Sequence, residues 1–133
     1  NMLTNNLLKL ANNTKYYGLR NIFTHKAKIK NNKCGDKITL EIVVNNNRLT
    51  SMRYEGESCV YCQISANLLA EKIDIINKDN FMEIYDILKS SLFEDKTLGK
   101  DLKNFSVLFN VKNLNRSDCI MLPLNALRKI LEK

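Results

Sequence analysis

The sequence predicts an α+β fold: a three-stranded antiparallel sheet with helices packed on one face. Three observations carry this. Residues 37–44, "KITLEIVV", alternate cleanly, with Ile38, Leu40, Ile42 and Val44 on one side. The run Asn45, Asn46, Asn47 separates them from a second alternating stretch, and asparagine tolerates the left-handed backbone that a tight hairpin needs. From residue 58 on, the apolar residues recur at helical spacing. A strand run followed by a helix run favours segregated sheet and helices.

Taken in order, "LTNNLLKLANN" has the spacing of a short first helix, and "NTKYYGLRN" reads as a loop punctuated by Gly18. Residues 23–30 alternate weakly and form the first strand. Residues 37–44 and 48–56 form the next two, joined as a hairpin. Ser58 is a good N-cap, so Cys59 is expected in the first turn of the next helix. That helix carries a stripe of Val60, Ile64, Leu68 and Ile75, with Leu69, Ile73 and Ile76 beside it. Asn80 and Glu83 have capping-box spacing ahead of Phe81, Ile84, Tyr85, Leu88 and Leu92. Residues 93–115 predict a short helix ending in a loop. The final segment has helical spacing but contains Pro123. Proline lacks the N–H that would reach the carbonyl of Cys119. The helix therefore starts near Leu122 or is bent just after Cys119.

The chain has 133 residues, 44% hydrophobic and 26% charged. That suits one domain, 1–133, with a substantial core. No apolar run approaches the ~20 residues of a membrane span. The start has no basic stretch ahead of a long apolar one, so no secretory leader is expected. Asn1 ahead of Met2 is expected to be an addition to the natural start. The expected location is the bacterial cytoplasm or an organelle matrix. Net charge is +7, but the lysines are scattered without interleaved aromatics or an arginine cluster, so no nucleic-acid partner is expected.

Four cysteines, Cys34, Cys59, Cys62 and Cys119, then ask for thiol or metal chemistry rather than structural disulfides. Cys34 sits in "NKCGDKI", a turn in which Gly35 permits reversal and Asp36 adds a carboxylate. Taken alone, this is simply a turn. Cys59 at a helix start meets free N–H groups and a dipole that stabilise a thiolate; a small apolar filler is the alternative. Cys119 in "RSDC" has Arg116 nearby, which also favours thiolate, and a core cysteine competes. Each of these four residues lies at the end of an element. Three thiolates and one carboxylate make a four-coordinate set for zinc or iron. The harder oxygen of Asp36 leaves one labile corner, which suits a metal or cluster meant to be passed on.

"NKCGDKITLEIVVNNNRLTSMRYEGESCVYCQISANLLAEKI" resembles the iron–sulfur cluster assembly scaffold family of IscU, SufU and the NifU amino-terminal domain. The family's C-G-D turn, hairpin, G-x-G-C stretch and A-S pair have counterparts here in order, and "RSDCIMLPLNAL" resembles its R-x-x-C-x-x-L stretch. The long segment "LGKDLKNFSVLFNVKNLNRSDC" is similar to the insertion of the SufU-like branch. The resemblance implies a SufE/NifU-like fold and ligand roles for Cys34, Asp36, Cys59 and Cys119. It implies a transient iron–sulfur cluster of two-iron type, with zinc as a resting occupant in the SufU-like case. The implied partners are a cysteine desulfurase and recipient apo-proteins or carriers. Cys119 is the expected sulfur acceptor, as its segment is judged most able to move.

The sequence also departs from the family pattern. Ser58 replaces the glycine before the second cysteine, Ile64-Ser65 replaces the A-S pair, and Asp118 stands where IscU-type members place a histidine. The Leu-Pro-Pro-Val-Lys chaperone stretch is absent. Cys62 is expected to be a filler or spare thiol, and His25 to have a surface or edge role. Three functions follow: a cluster scaffold, a zinc-containing sulfur carrier (a sulfurtransferase, if enzymatic), or a basic binding module with incidental cysteines.

Overall fold

The computed structural model describes residues 5–132. Asn1, and the start of the predicted first helix, lie outside them. The sheet has three strands, β1 (His25–Lys30), β2 (Lys37–Asn45) and β3 (Arg48–Glu55), in spatial order β1-β2-β3. Both pairings are antiparallel, with Ala27 opposite Leu40 and Leu40 opposite Tyr54. The hairpin turn uses Asn46 and Asn47, both at positive φ (51° and 70°). Asparagine is enriched at such backbone angles because its short side chain bonds locally.

One sheet face carries Ala27, Ile38, Leu40, Ile42, Met52 and Tyr54, all buried. Helices α1 (Asn5–Ala11), α2 (Val60–Glu71), α3 (Phe81–Phe93) and α4 (Ser117–Leu131) build the rest of the core. α2 and α4 pack on each other, and α4 also lies on β1 and β2. Ile64, Leu69, Leu88, Leu124 and Leu127 fill the helical layer, and each is fully buried.

The opposite face is not simply wet. Glu41 is 1% exposed there. Its carboxylate accepts hydrogen bonds from the backbone N–H groups of Arg20 (2.7 Å) and Asn21 (3.1 Å) and faces the Lys26 ammonium at 3.8 Å. The Arg53 guanidinium donates to the carbonyls of Lys15, Tyr17 and Gly18. Together these two side chains tie the 15–21 loop to the sheet. Tyr16 and Gly18 also exchange backbone bonds with Tyr54, which blunts the free edge of β3.

Several boundaries differ from expectation, each for a local reason. α2 ends at Glu71, and Ile73–Ile75 form a separate 3-10 turn, so the apolar stripe spans two elements. Asn80 precedes α3, but its side chain makes no cap bond. Its amide instead donates to Ile75 O and its Oδ1 accepts from Asn77 N–H. The uncertain 93–115 stretch contains two 3-10 segments, Lys100–Val107 and Val111–Arg116. α4 begins at Ser117, well before Leu122, and continues through Pro123.

Tyr54 joins sheet and helices. Its hydroxyl donates to Asn67 Oδ1 at 2.6 Å, and the Asn67 amide donates to the carbonyls of Leu10 and Asn13. Burial pushes the Tyr54 phenol up to about 12. Tyr54→Phe should therefore lower unfolding free energy by about 1–3 kcal/mol, since it strands a buried acceptor. The folded state holds this proton more tightly than the unfolded chain, so the Tyr54 contribution is intact below pH ~10 and is lost as pH rises toward ~12. Urea melts of both proteins across that window should converge.

Candidate metal centre

The β1–β2 connection is shaped by its own asparagine. Asn31 accepts at its carbonyl from Gly35 N–H and at its side chain from Lys33 N–H, and donates its N–H to Asp36 O. Gly35 sits at φ +79°, a region that glycine enters without steric penalty. The turn so formed exposes Cys34 and buries Asp36, which is 8% exposed.

The second approach comes from Gly56. The N–H of Lys37 donates to the carbonyl of Glu57 at 2.9 Å, so the chain leaving β3 runs tightly beside the start of β2. A Cβ on Gly56 would sit 2.1 Å from the Lys37 carbonyl oxygen. Only glycine fits that spot. This joint delivers Ser58 and Cys59 to the side of the sheet where Asp36 lies. The glycine that this close approach requires is thus Gly56.

Cys59 is the N-cap of α2, with extended backbone (φ −71°, ψ 167°), and is not in its first turn. Ser58 is not the cap; it precedes the cap residue by one position. Cys62 is fully buried one turn into α2, and burial pushes its thiol up to about 12. It behaves as a core side chain behind the site, in line with the filler reading.

Cys119 lies in the first turn of α4 and is 8% exposed. Its sulfur is 3.6 Å from that of Cys34. Ligand atoms of Cys34, Asp36 and Cys119 all lie within 4.8 Å of one another. Cys59 is not among the three gathered donors, but it is near enough to Cys119 to act on its thiol. Burial pushes the Cys119 thiol up, and the neighbouring Cys59, Cys34 and Asp36 add to this. Arg116 does not offset it; its guanidinium stacks over the Tyr61 ring at 5.2 Å. A second contact joins the same two segments, the exposed Lys33–Asp118 ion pair at 3.2 Å.

Asp36 Oδ2 is buried and has no hydrogen-bond partner. Buried polar atoms are almost always paired. Leaving a buried charge uncompensated costs about 3–5 kcal/mol. A cation held among the three groups would supply the missing partner. Two sulfurs on one tetrahedral ion with bonds of ~2.3 Å lie about 3.8 Å apart, close to the observed 3.6 Å. The donor set therefore fits a thiophilic metal. His25 takes no part: it is on edge strand β1, with Nδ1 2.8 Å from Thr24 Oγ1. A groove of about 300 Å³ next to the site is lined by Lys30, Lys33, Lys89, Tyr85 and Asp118 among others, and by none of the cysteines.

The profile of the family described as NifU-like N terminal domain matches residues 2–108. The chain belongs to that family. The matched part of this NifU-like domain holds Cys34, Asp36 and Cys59 and stops short of Cys119. A relative that extends past it is the protein described as iron–sulfur cluster assembly scaffold protein IscU of Thermotoga maritima, 32% identical over 137 residues, covering 99% of this chain and 94% of the relative. Two solved structures share the fold. One is a candidate iron–sulfur cluster assembly scaffold protein for the SUF system from Fervidobacterium islandicum: TM-score 0.86, 22% identity, 96% of this chain and 95% of that one. The other is the N-terminal part of a nitrogen-fixing NifU-like protein from Brucella abortus: TM-score 0.80, 19% identity, 97% and 91%. No helix among the described residues is long and apolar enough to cross a membrane.

Differential alkylation of the metal-free, reduced domain checks the thiol geometry. Iodoacetamide should modify Cys34 first and Cys62 only after unfolding, with Cys119 slower than Cys34 by at least ~10-fold, since thiolate and access both control the rate. Mass mapping of modified peptides over time reads the order.

Proposed function

We propose that this NifU-like domain is a scaffold that assembles an iron–sulfur cluster on Cys34, Asp36, Cys59 and Cys119 and releases it to recipient proteins. The cluster is its cargo. The observation that carries this reading is the buried Asp36 carboxylate, one oxygen of which lacks a partner, gathered with two cysteine sulfurs within 4.8 Å. Membership of the family, and the IscU description of the Thermotoga relative, support the same assignment.

The chemistry follows from the donor types. Thiolates prefer iron and zinc, whereas a carboxylate oxygen is a harder ligand and binds these metals less firmly. Three sulfurs then retain the cargo while Asp36 gives the corner that opens first. Sulfur is to come from a cysteine desulfurase. A thiolate of the site attacks the terminal sulfur of the donor persulfide, the donor S–S bond breaks, and the donor leaves as a thiolate. Cys119 is proposed as the acceptor. Because it is buried and Cys34 is exposed, its use requires the first turn of α4 to shift, or sulfur to pass by way of Cys34, 3.6 Å away.

A second reading has one observation in its favour. The 3.6 Å sulfur separation suits a single tetrahedral zinc. The domain would then be a zinc-containing sulfurtransferase that accepts persulfide. Elemental analysis of protein purified without added metal separates the two: stoichiometric, tightly held zinc favours the carrier.

Anaerobic incubation with iron and sulfide, followed by visible absorption, tests the scaffold. The wild-type domain should develop cluster absorption. Cys34→Ser, Cys59→Ser and Cys119→Ser should each retain less than about a tenth of it, while Cys62→Ser retains nearly all. Asp36→Cys should hold the cluster and transfer it to an apo-ferredoxin at least ~10-fold more slowly. Absence of absorption in the wild type, under conditions that load another scaffold, would refute the proposal.

A further inference from the structure

Ser65 is 0% exposed and lies in the second turn of α2. Its hydroxyl donates to the carbonyl of Ile120 at 2.6 Å, across to α4. That partner is a choice. A helical serine usually bonds a carbonyl of its own preceding turn, and the chain shows the habit twice: Ser91 donates to Leu88 O and Ser106 to Lys103 O. Ser65 instead reaches a different helix, at the residue next to Cys119.

The need for such a bond is visible in α4. Pro123 has no N–H, so the carbonyl of Cys119 lacks its usual helical donor. The turn that carries Cys119 is therefore held less firmly by its own helix than an ordinary turn. The Ser65 bond replaces part of that restraint from outside. Its other end is anchored on α2, whose N-cap is Cys59. One hydroxyl thus fixes the helix that begins at Cys59 against the turn that holds Cys119.

We propose that Ser65 is a positioning residue, whose hydroxyl, bonded to Ile120 O, sets the Cys119 sulfur against Cys34 and Asp36. Its consequence for metal rests on the ligand set argued under Proposed function. Its consequence for sulfur-to-sulfur distance does not. Supporting groups behind metal ligands typically contribute 10–100-fold in affinity. Ser65 gives the scaffold a turn that is held in place by one exchangeable bond, and rotation of that hydroxyl to its own helix frees Cys119 to move.

Cobalt(II) is the probe, because thiolate-to-cobalt absorption reports both affinity and sulfur ligation. Ser65→Ala should bind cobalt at least ~10-fold more weakly with altered visible bands. Ser65→Thr, which keeps the donor, should stay within about 3-fold of wild type. Leu88→Val, a fully buried site on α3, should lower the melting temperature without changing cobalt affinity. Unchanged affinity in Ser65→Ala, or equal weakening in Leu88→Val, overturns the proposal. A metal-free arm uses Cys59→Ser protein in a glutathione redox buffer, where oxidised glutathione takes two electrons and two protons as Cys34 and Cys119 join. Ser65→Ala should lower that equilibrium constant at least ~10-fold. If wild type bound no cobalt through sulfur, the metal reading would fail, and the glutathione arm alone would decide Ser65.

Discussion

A carboxylate oxygen buried without a partner sets the terms for everything around it. Asp36 Oδ2 has no hydrogen bond, and two cysteine sulfurs stand within 4.8 Å of the same group. Elsewhere the chain takes care to satisfy such groups. Glu41 is buried still more deeply, and it receives two backbone N–H groups and a lysine. The same protein therefore shows a satisfied carboxylate within β2 and an unsatisfied one in the turn that leads into it. The difference between them is the lack of a protein donor at Asp36 Oδ2, and the sulfur neighbours make the group a candidate for a metal ion.

The surrounding fold brings groups 85 residues apart to that point. The Asn31–Gly35 turn exposes Cys34 while tucking Asp36 inward. The Gly56 joint presses the exit of β3 against the entry to β2, so that α2 begins at the site. Ser65 and the missing N–H of Pro123 govern how α4 presents Cys119. Each device acts on one ligand-bearing segment, and their sum is a centre partly preformed, with three donors gathered and Cys59 alongside. That arrangement suits cargo that must both bind and leave.

Much of this was legible in the sequence. Alternation in residues 37–44 and 48–56 placed the hairpin, because a half-buried strand must alternate. Ligand candidates at element ends were legible for the same reason, since turns and caps are where side chains can converge. What escaped was long-range. Ser58 looked like a cap, yet the helix starts one residue later, with Cys59 at the cap position. Asn80 and Glu83 had capping-box spacing, but the Asn77 turn competed for the Asn80 side chain. Gly56 looked like an ordinary strand end; its necessity comes from the carbonyl of Lys37, at the far end of the hairpin. The idea that Arg116 favours a thiolate at Cys119 failed because Tyr61 claims the guanidinium and burial dominates the thiol. Nothing in local pattern reveals that Ser65 reaches across to Ile120.

X-ray absorption at the metal edge of the loaded domain bears most directly on the central claim. With zinc or iron in the site, the account predicts a first shell of three sulfurs and one oxygen for a single ion, or terminal ligation by three cysteines and one carboxylate for a cluster. Substituting Asp36→Ala should remove the protein oxygen and leave the sulfurs. A shell of four cysteine sulfurs, with Cys62 in place of Asp36, or a shell of nitrogen and oxygen alone, would contradict it.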